Sequence, residues 1–120
     1  MKKKVKKIYL QQKKRSLKKI IGTPEKPRLA IFRSHKHIYA QLIDDTNAKT
    51  IAYSSTLDKE ISKKIEKSNN QAASFLVGSD LAQKTLKKEI NLIVFDRGSK
   101  PYHGRIKSLA EGARKEGLIF

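Results

Sequence analysis

Near the carboxyl end of the chain, "FDRGSKPYHGR" gathers Asp96, Arg97, Lys100, Tyr102, His103 and Arg105 into one short stretch. Two kinds of chemistry use such a set. An acid, a histidine and a tyrosine could pass a proton in general acid–base catalysis. The same bases and rings could instead grip a polyanion, charge on phosphates and flat rings on bases. Gly98 and Gly104 permit close backbone approach, and a helix starting just beyond would offer free N–H groups to an anion.

The rest of the chain gives catalysis little support. Metal-assisted cleavage of nucleic acid needs clustered carboxylates, and Asp96 has no second acid nearby in sequence; a salt bridge or turn bond with Arg97 is its expected role. Asp44 and Asp45 are adjacent, so on a strand they face opposite ways, and their turn-forming neighbours suit them to bonding their own backbone. His35 and His37 stand among Arg33, Ser34 and Lys36 without a carboxylate to orient them. "GSKPYHG" lacks the glycine spacing and Lys-Ser/Thr ending of phosphate-binding loops. Cysteine is absent, which removes disulfides, thiolate chemistry and the common structural zinc sites. No cofactor or metal is expected.

The polyanion option gains support elsewhere. "RSHKHIYAQ" repeats the theme of the carboxyl-terminal loop, since Arg33, Lys36, His37, Tyr39 and Gln41 combine charge, ring and amide. Across the whole chain 28 Lys and Arg face 11 Asp and Glu, a net charge of +17, far beyond what solubility asks. Residues 1–28 carry +11 of it: Lys2, Lys3, Lys4, Lys6, Lys7, Lys13, Lys14, Arg15, Lys18, Lys19, Lys26 and Arg28 against Glu25 alone. Self-repulsion favours a disordered arm at residues 1–22 when no partner is bound. Val5, Ile8, Leu17, Ile20 and Ile21 interleave with the lysines at roughly helical spacing. A helix along RNA, or a basic helix on an anionic membrane, is therefore possible when bound. The membrane version has the narrower basis, its apolar face lacking Trp and Phe. No apolar run approaches the length of a membrane span, and no secretory signal opens the chain.

The remaining residues, 23–120, suit one small α/β domain. Gly22, Pro24 and Pro27 end any preceding helix. Strands are expected at "RLAIFR", at "HIYAQLID" and at "KTIAYSS", separated by "SHK" and by the turn-formers "DDTNA". Alternation in the second puts Ile38, Ala40 and Leu42 on one face and His37, Tyr39, Gln41 and Ile43 on the other. The period then becomes helical at Leu57, Ile61 and Ile65, breaks at "KSNN", and resumes at Ala73, Val77, Gly78, Leu81, Ala82, Thr85 and Leu86. Gly78 and Ala82 would seat that helix close against a sheet. "NLIVF" is apolar without alternation, as for a strand covered on both faces. A last helix from about Arg105 turns Ile106, Leu109, Ala110 and Ala113 inward and stops at Gly117. The order is β-β-β-α-β-α: an antiparallel meander plus one parallel strand from a βαβ crossover, a mixed sheet with helices packed on it.

"RLAIFRSHKHIYAQLID" together with "FDRGSKPYHGRIKSLAEGARKEGLIF" closely resembles the family of the eighteenth protein of the bacterial and plastid large ribosomal subunit, the 5S rRNA-binding family. The resemblance extends through the basic arm, "GTPEKPRL", "STLDKEI" and the closing "EGLIF", nearly the whole chain. It departs at Ser99, where the family usually has glycine. The resemblance implies a structural constituent of the large subunit, without catalysis, that seats 5S rRNA in the central protuberance. Its implied partners are 5S rRNA, large-subunit rRNA and other 5S-associated proteins of that subunit, with neither membrane nor small-molecule substrate. The RNA-facing residues it implies are the arm bases, then Arg33, Ser34, Lys36, His37, Tyr39 and Gln41, then Arg97, Tyr102, His103, Gly104 and Arg105; Arg28 and Lys100 join them as candidate RNA ligands by their charge. The style of "GTPEKPRLAIFRS" is closest to the cyanobacterial and plastid branch. Without a transit peptide that means an organelle-encoded stromal chain, the alternative being a bacterial cytoplasm.

Overall fold

The computed structural model describes residues 20–98 and 100–120. The ten arm bases from Lys2 to Lys19, and Ser99, lie outside the described residues. Strands β1 (Arg28–Arg33), β2 (Ile38–Asp44) and β3 (Lys49–Ser55) form the expected antiparallel meander. The chain then passes through one turn of helix, α1 (Lys59–Ser62), and a long helix, α2 (Gln71–Lys87). It returns as β4 (Val94–Asp96) and closes with α3 (Gly104–Glu116). Sheet order is β3-β2-β1-β4, with β4 parallel to β1. The crossover from β3 therefore passes over two strands before it pairs.

Period-two alternation in β2 sets the layers. Ile38, Ala40 and Leu42 are fully buried beneath the helices, and the residues between them are half-exposed. Leu29 and Ile31 of β1 sit opposite Leu42 and Ala40 and join Val77, Leu81, Ile93, Ile106 and Leu109 in one core. Helix α2 begins where the polar break supplies a cap: the Asn70 side chain accepts from the Ala73 N–H at 2.9 Å. Helix α3 ends at Gly117, whose φ of 119° lies in the left-handed region. Among the described residues no helix is long and apolar enough to cross a membrane.

Three expectations need correction. Gly78 seats α2 against α3 and not against the sheet, since a β-carbon there would lie 2.0 Å from the Leu109 carbonyl oxygen. Gly112 on α3 does the reciprocal job against the Phe75 carbonyl, at 2.2 Å. The stripe Leu57, Ile61, Ile65 gives the expected short helix before "KSNN", but α1 spans four residues only; Ile61 is buried while Leu57 stays 56% exposed. Asp58 is drawn into turn bonding with the Ser55 N–H, and polar residues follow, so too little apolar surface is buried to extend the helix. Of "NLIVF" only Val94 and Phe95 fall in β4, where they are half-buried, and the lead-in to it is covered unevenly, with Ile93 buried and Leu92 44% exposed. On its outer side the carboxyl-terminal tail pairs with it, the Ile119 N–H donating to the Asn91 carbonyl at 2.8 Å.

Candidate nucleic-acid interface

Two stretches far apart in sequence meet at one end of the sheet. The β1–β2 connection is a tight turn in which the Ser34 N–H donates to the His37 carbonyl at 2.9 Å, and the His37 N–H donates to the Ser34 hydroxyl at 3.1 Å. Arg33, Ser34, His35 and Lys36 are exposed on it. From the first turn of α3, Arg105 Nη1 donates to the Ser34 carbonyl at 3.1 Å. Ser68, in the link before α2, donates to the Lys36 carbonyl at 2.5 Å. Hairpin and carboxyl-terminal loop are thus one joined surface.

The loop after β4 is held from within. Asp96 Oδ1 accepts from the Gly98 N–H at 2.8 Å, and Arg97 Nη1 donates to the Lys100 carbonyl at 3.2 Å. Gly98 and Gly104 have φ of 65° and 58°, values at which a side chain would be strained, and a β-carbon at either would point into open space. His103 is exposed and stands at the N-cap of α3 without a side-chain cap bond, and the first turn carries no acid. Unsatisfied N–H groups with a positive helix end favour an anion there.

Tyr102 is more committed than its sequence context suggests. Its ring meets Phe95 edge-on at 5.9 Å, and its hydroxyl accepts from Arg114 Nη1 at 3.0 Å. Phe120 stacks on the other side of this cluster, 5.4 Å from Phe95, beneath the Arg114 guanidinium at 4.3 Å. Tyr102 is half-buried, so only part of its ring is free to meet a base.

Asp96 bonds differently from expectation. Its Oδ2 accepts from Arg28 Nη1 at 3.0 Å, so its salt-bridge partner is Arg28 and not Arg97. β4 lies beside β1 in space, which no local reading of "FDRG" shows. Both Asp96 oxygens thus accept a bond, Oδ1 from the Gly98 N–H and Oδ2 from Arg28. His37 Nδ1 is bonded to the Thr56 hydroxyl at 3.0 Å. Among the described residues no group of three His, Asp or Glu side chains could hold a metal ion. A shallow cleft lies elsewhere, between α1 and α2 around Glu60, Lys64 and Asp80.

The sheet face away from the helices adds residues that no motif in the sequence singles out. Register places Phe32 opposite Tyr39, and Gln41 opposite Tyr53. Phe32 is 52% exposed and Tyr53 60%. Large rings standing on an open sheet next to basic loops suit base stacking. The signal was present in the phase of β1 and β3: once Leu29 and Ile31 face the core, Phe32 must face out. Arg28, a candidate RNA ligand by sequence, is instead paired with two carboxylates of the domain, Asp45 and Asp96.

A family described as ribosomal L18 of archaea, bacteria, mitochondria and chloroplasts matches residues 2–120. Among similar proteins, the large ribosomal subunit protein uL18 of Thermotoga petrophila is 51% identical over 111 residues, covering 92% of this chain and 91% of its own. The large ribosomal subunit protein uL18c of Cyanophora paradoxa is 52% identical over 108 residues, covering 89% of each. The uL18 of a Synechococcus strain is 50% identical over 117 residues, covering 95% of this chain and 96% of its own.

Proposed function

The chain belongs to the ribosomal L18 family, structural proteins of the large ribosomal subunit, and from that premise we propose that it binds 5S rRNA and helps attach it to large-subunit rRNA in the central protuberance. The observation that carries this reading is the single surface made by the β1–β2 hairpin and the loop before α3, joined through Arg105 and Ser34. On it, Arg33, Lys36, Arg97 and Lys100 meet phosphates, His37, Tyr39, Tyr102 and His103 offer rings, and Ser34, Gln41 and the backbone at Gly104 offer hydrogen bonds. Phe32 and Tyr53 extend the stacking area across the sheet. The basic arm at residues 1–22 supplies the larger share of charge, through Lys2, Lys3, Lys4, Lys6, Lys7, Lys13, Lys14, Arg15, Lys18 and Lys19.

Affinity rests on phosphate neutralisation and stacking, so RNA shape matters more than base sequence. The protein performs no catalysis in this role. Incubating labelled RNA with Mg²⁺ or Mn²⁺ should leave it intact, and cleavage would revive the nuclease alternative. The style of "GTPEKPRLAIFRS" supports plastid stroma over bacterial cytoplasm, while relatives of both kinds are about equally similar to the chain. Gentle purification of the endogenous protein tests the proposal: it should sediment with large subunits and carry 5S rRNA. Recovery with many unrelated RNAs instead would point to a general RNA chaperone, the reading that the net charge alone also fits.

A further inference from the structure

Arg28 belongs by sequence to the basic stretch, yet all three nitrogens of its half-buried guanidinium donate to carboxylates of the domain. Nε donates to Asp45 Oδ2 at 2.9 Å, Nη2 to Asp45 Oδ1 at 3.1 Å, and Nη1 to Asp96 Oδ2 at 3.0 Å. The fork on Asp45 is bidentate, the geometry in which arginine is hardest to replace by lysine. Each acid holds a further piece of backbone. Asp45 Oδ2 accepts from the Gly22 N–H at 2.7 Å, while the Asp45 N–H donates to the Gly22 carbonyl at 3.0 Å. Asp96 Oδ1 holds Gly98 in the loop. Gly22 itself is wedged, since a β-carbon there would lie 2.4 Å from both the Arg28 nitrogen and the Ile43 carbonyl oxygen.

Two carboxylates near a surface that must meet phosphates oppose binding by simple repulsion. Their bonding gives them another role. We propose that Arg28 is a positioning residue: through Asp45 it fixes where the basic arm leaves the domain, and through Asp96 it fixes the loop at Gly98. It thereby sets the spacing of two RNA-binding surfaces without contacting RNA. The inference rests on the reading that arm and loop bind RNA.

Electrostatics and positioning predict opposite signs for the same change. Removing an acid from an RNA-facing surface should tighten binding if charge alone matters. If Arg28 acts through the acids, Asp45→Asn and Asp96→Asn should each weaken 5S rRNA binding by roughly two- to tenfold, as arm or loop must then be ordered on binding. Arg28→Lys keeps the charge and should weaken it similarly. The pair Arg28→Lys with Asp45→Asn should be no worse than the poorer single variant. Amide hydrogen exchange without RNA gives an independent reading: Gly22 should exchange faster in Asp45→Asn, Gly98 in Asp96→Asn, and both in Arg28→Lys. Melting curves identify any variant that does not fold, and the remaining two then carry the test. Tighter or unchanged binding by the folded Asn variants would overturn the proposal while leaving the RNA-binding reading intact. Unchanged exchange at both glycines in Arg28→Lys would overturn it as well. A parent protein that fails to bind 5S rRNA would remove the reading and, with it, the inference.

Discussion

Asp44 shows how a residue that resembles chemistry serves local structure. Its carboxylate accepts from the Thr46 hydroxyl at 2.6 Å, from the Asn47 amide at 2.6 Å and from the Thr46 N–H at 3.0 Å. These bonds, the Thr46 hydroxyl foremost, hold its pKa below the ordinary carboxylate value. A lowered folded-state pKa contributes stability that is present above the unfolded value and is lost as pH falls through the folded one. Denaturation midpoints of the parent should therefore decline as pH drops below about 4. Asp44→Asn should be less stable than the parent at neutral pH and show a shallower acid decline; an equally steep decline would place the acid sensitivity elsewhere. Tyr102 is the complementary case, because its ring serves both the Phe95 cluster and the proposed RNA surface. Tyr102→Phe keeps the ring and should bind 5S rRNA within about twofold of the parent, the lost bond to Arg114 being partly exposed. Tyr102→Ala should lose about 1 to 3 kcal/mol of binding if the ring stacks on a base, with melting recorded because the ring also packs inward.

The elements were legible where pattern and local chemistry agree. β1 and β3 begin and end where their sequences say, since alternation and bordering turn-formers point the same way. The inward stripe of α3 and its stop at Gly117 were equally plain. What sequence could not give was which layer each face meets. Gly78 marks a close approach, and only the fold shows that the approach is to Leu109 of α3. Gly78→Ala should accordingly push the two helices apart and cost about 1 to 3 kcal/mol or more, read as a fall in denaturation midpoint. A neutral or stabilising result, as helix propensity alone would give, would contradict this packing. The candidate site divides similarly. Hairpin and loop were each found from clustered charge, rings and glycine, but their junction through Arg105 and the Arg28 pairing to Asp96 depend on strand order. Phe32 and Tyr53 were missed because a ring in a strand first suggests core. Phe32→Ala and Tyr53→Ala should leave melting nearly unchanged, since both rings are exposed, while each weakens RNA binding.

For the whole molecule the question is how charge and shape share the task. Residues 1–28 hold +11 of the +17, so the arm should dominate salt sensitivity while the domain supplies shape. Deleting residues 1–21 should leave the domain folded, because the bonds that tie the chain to Asp45 begin at Gly22. Each phosphate that the arm no longer neutralises should lower the log–log salt slope by about 0.7 to 0.9. An unchanged slope would remove the arm from the interface. Charge alone, however, binds any RNA, and the proposed role requires preference. The most direct test is equilibrium binding of labelled 5S rRNA to the intact chain at physiological salt with a large excess of tRNA as competitor. A specific 5S rRNA binder should keep its labelled RNA, with tRNA displacing it only weakly. Equal displacement by tRNA and by unlabelled 5S rRNA would contradict the proposed role, leaving a basic protein without a specific RNA partner.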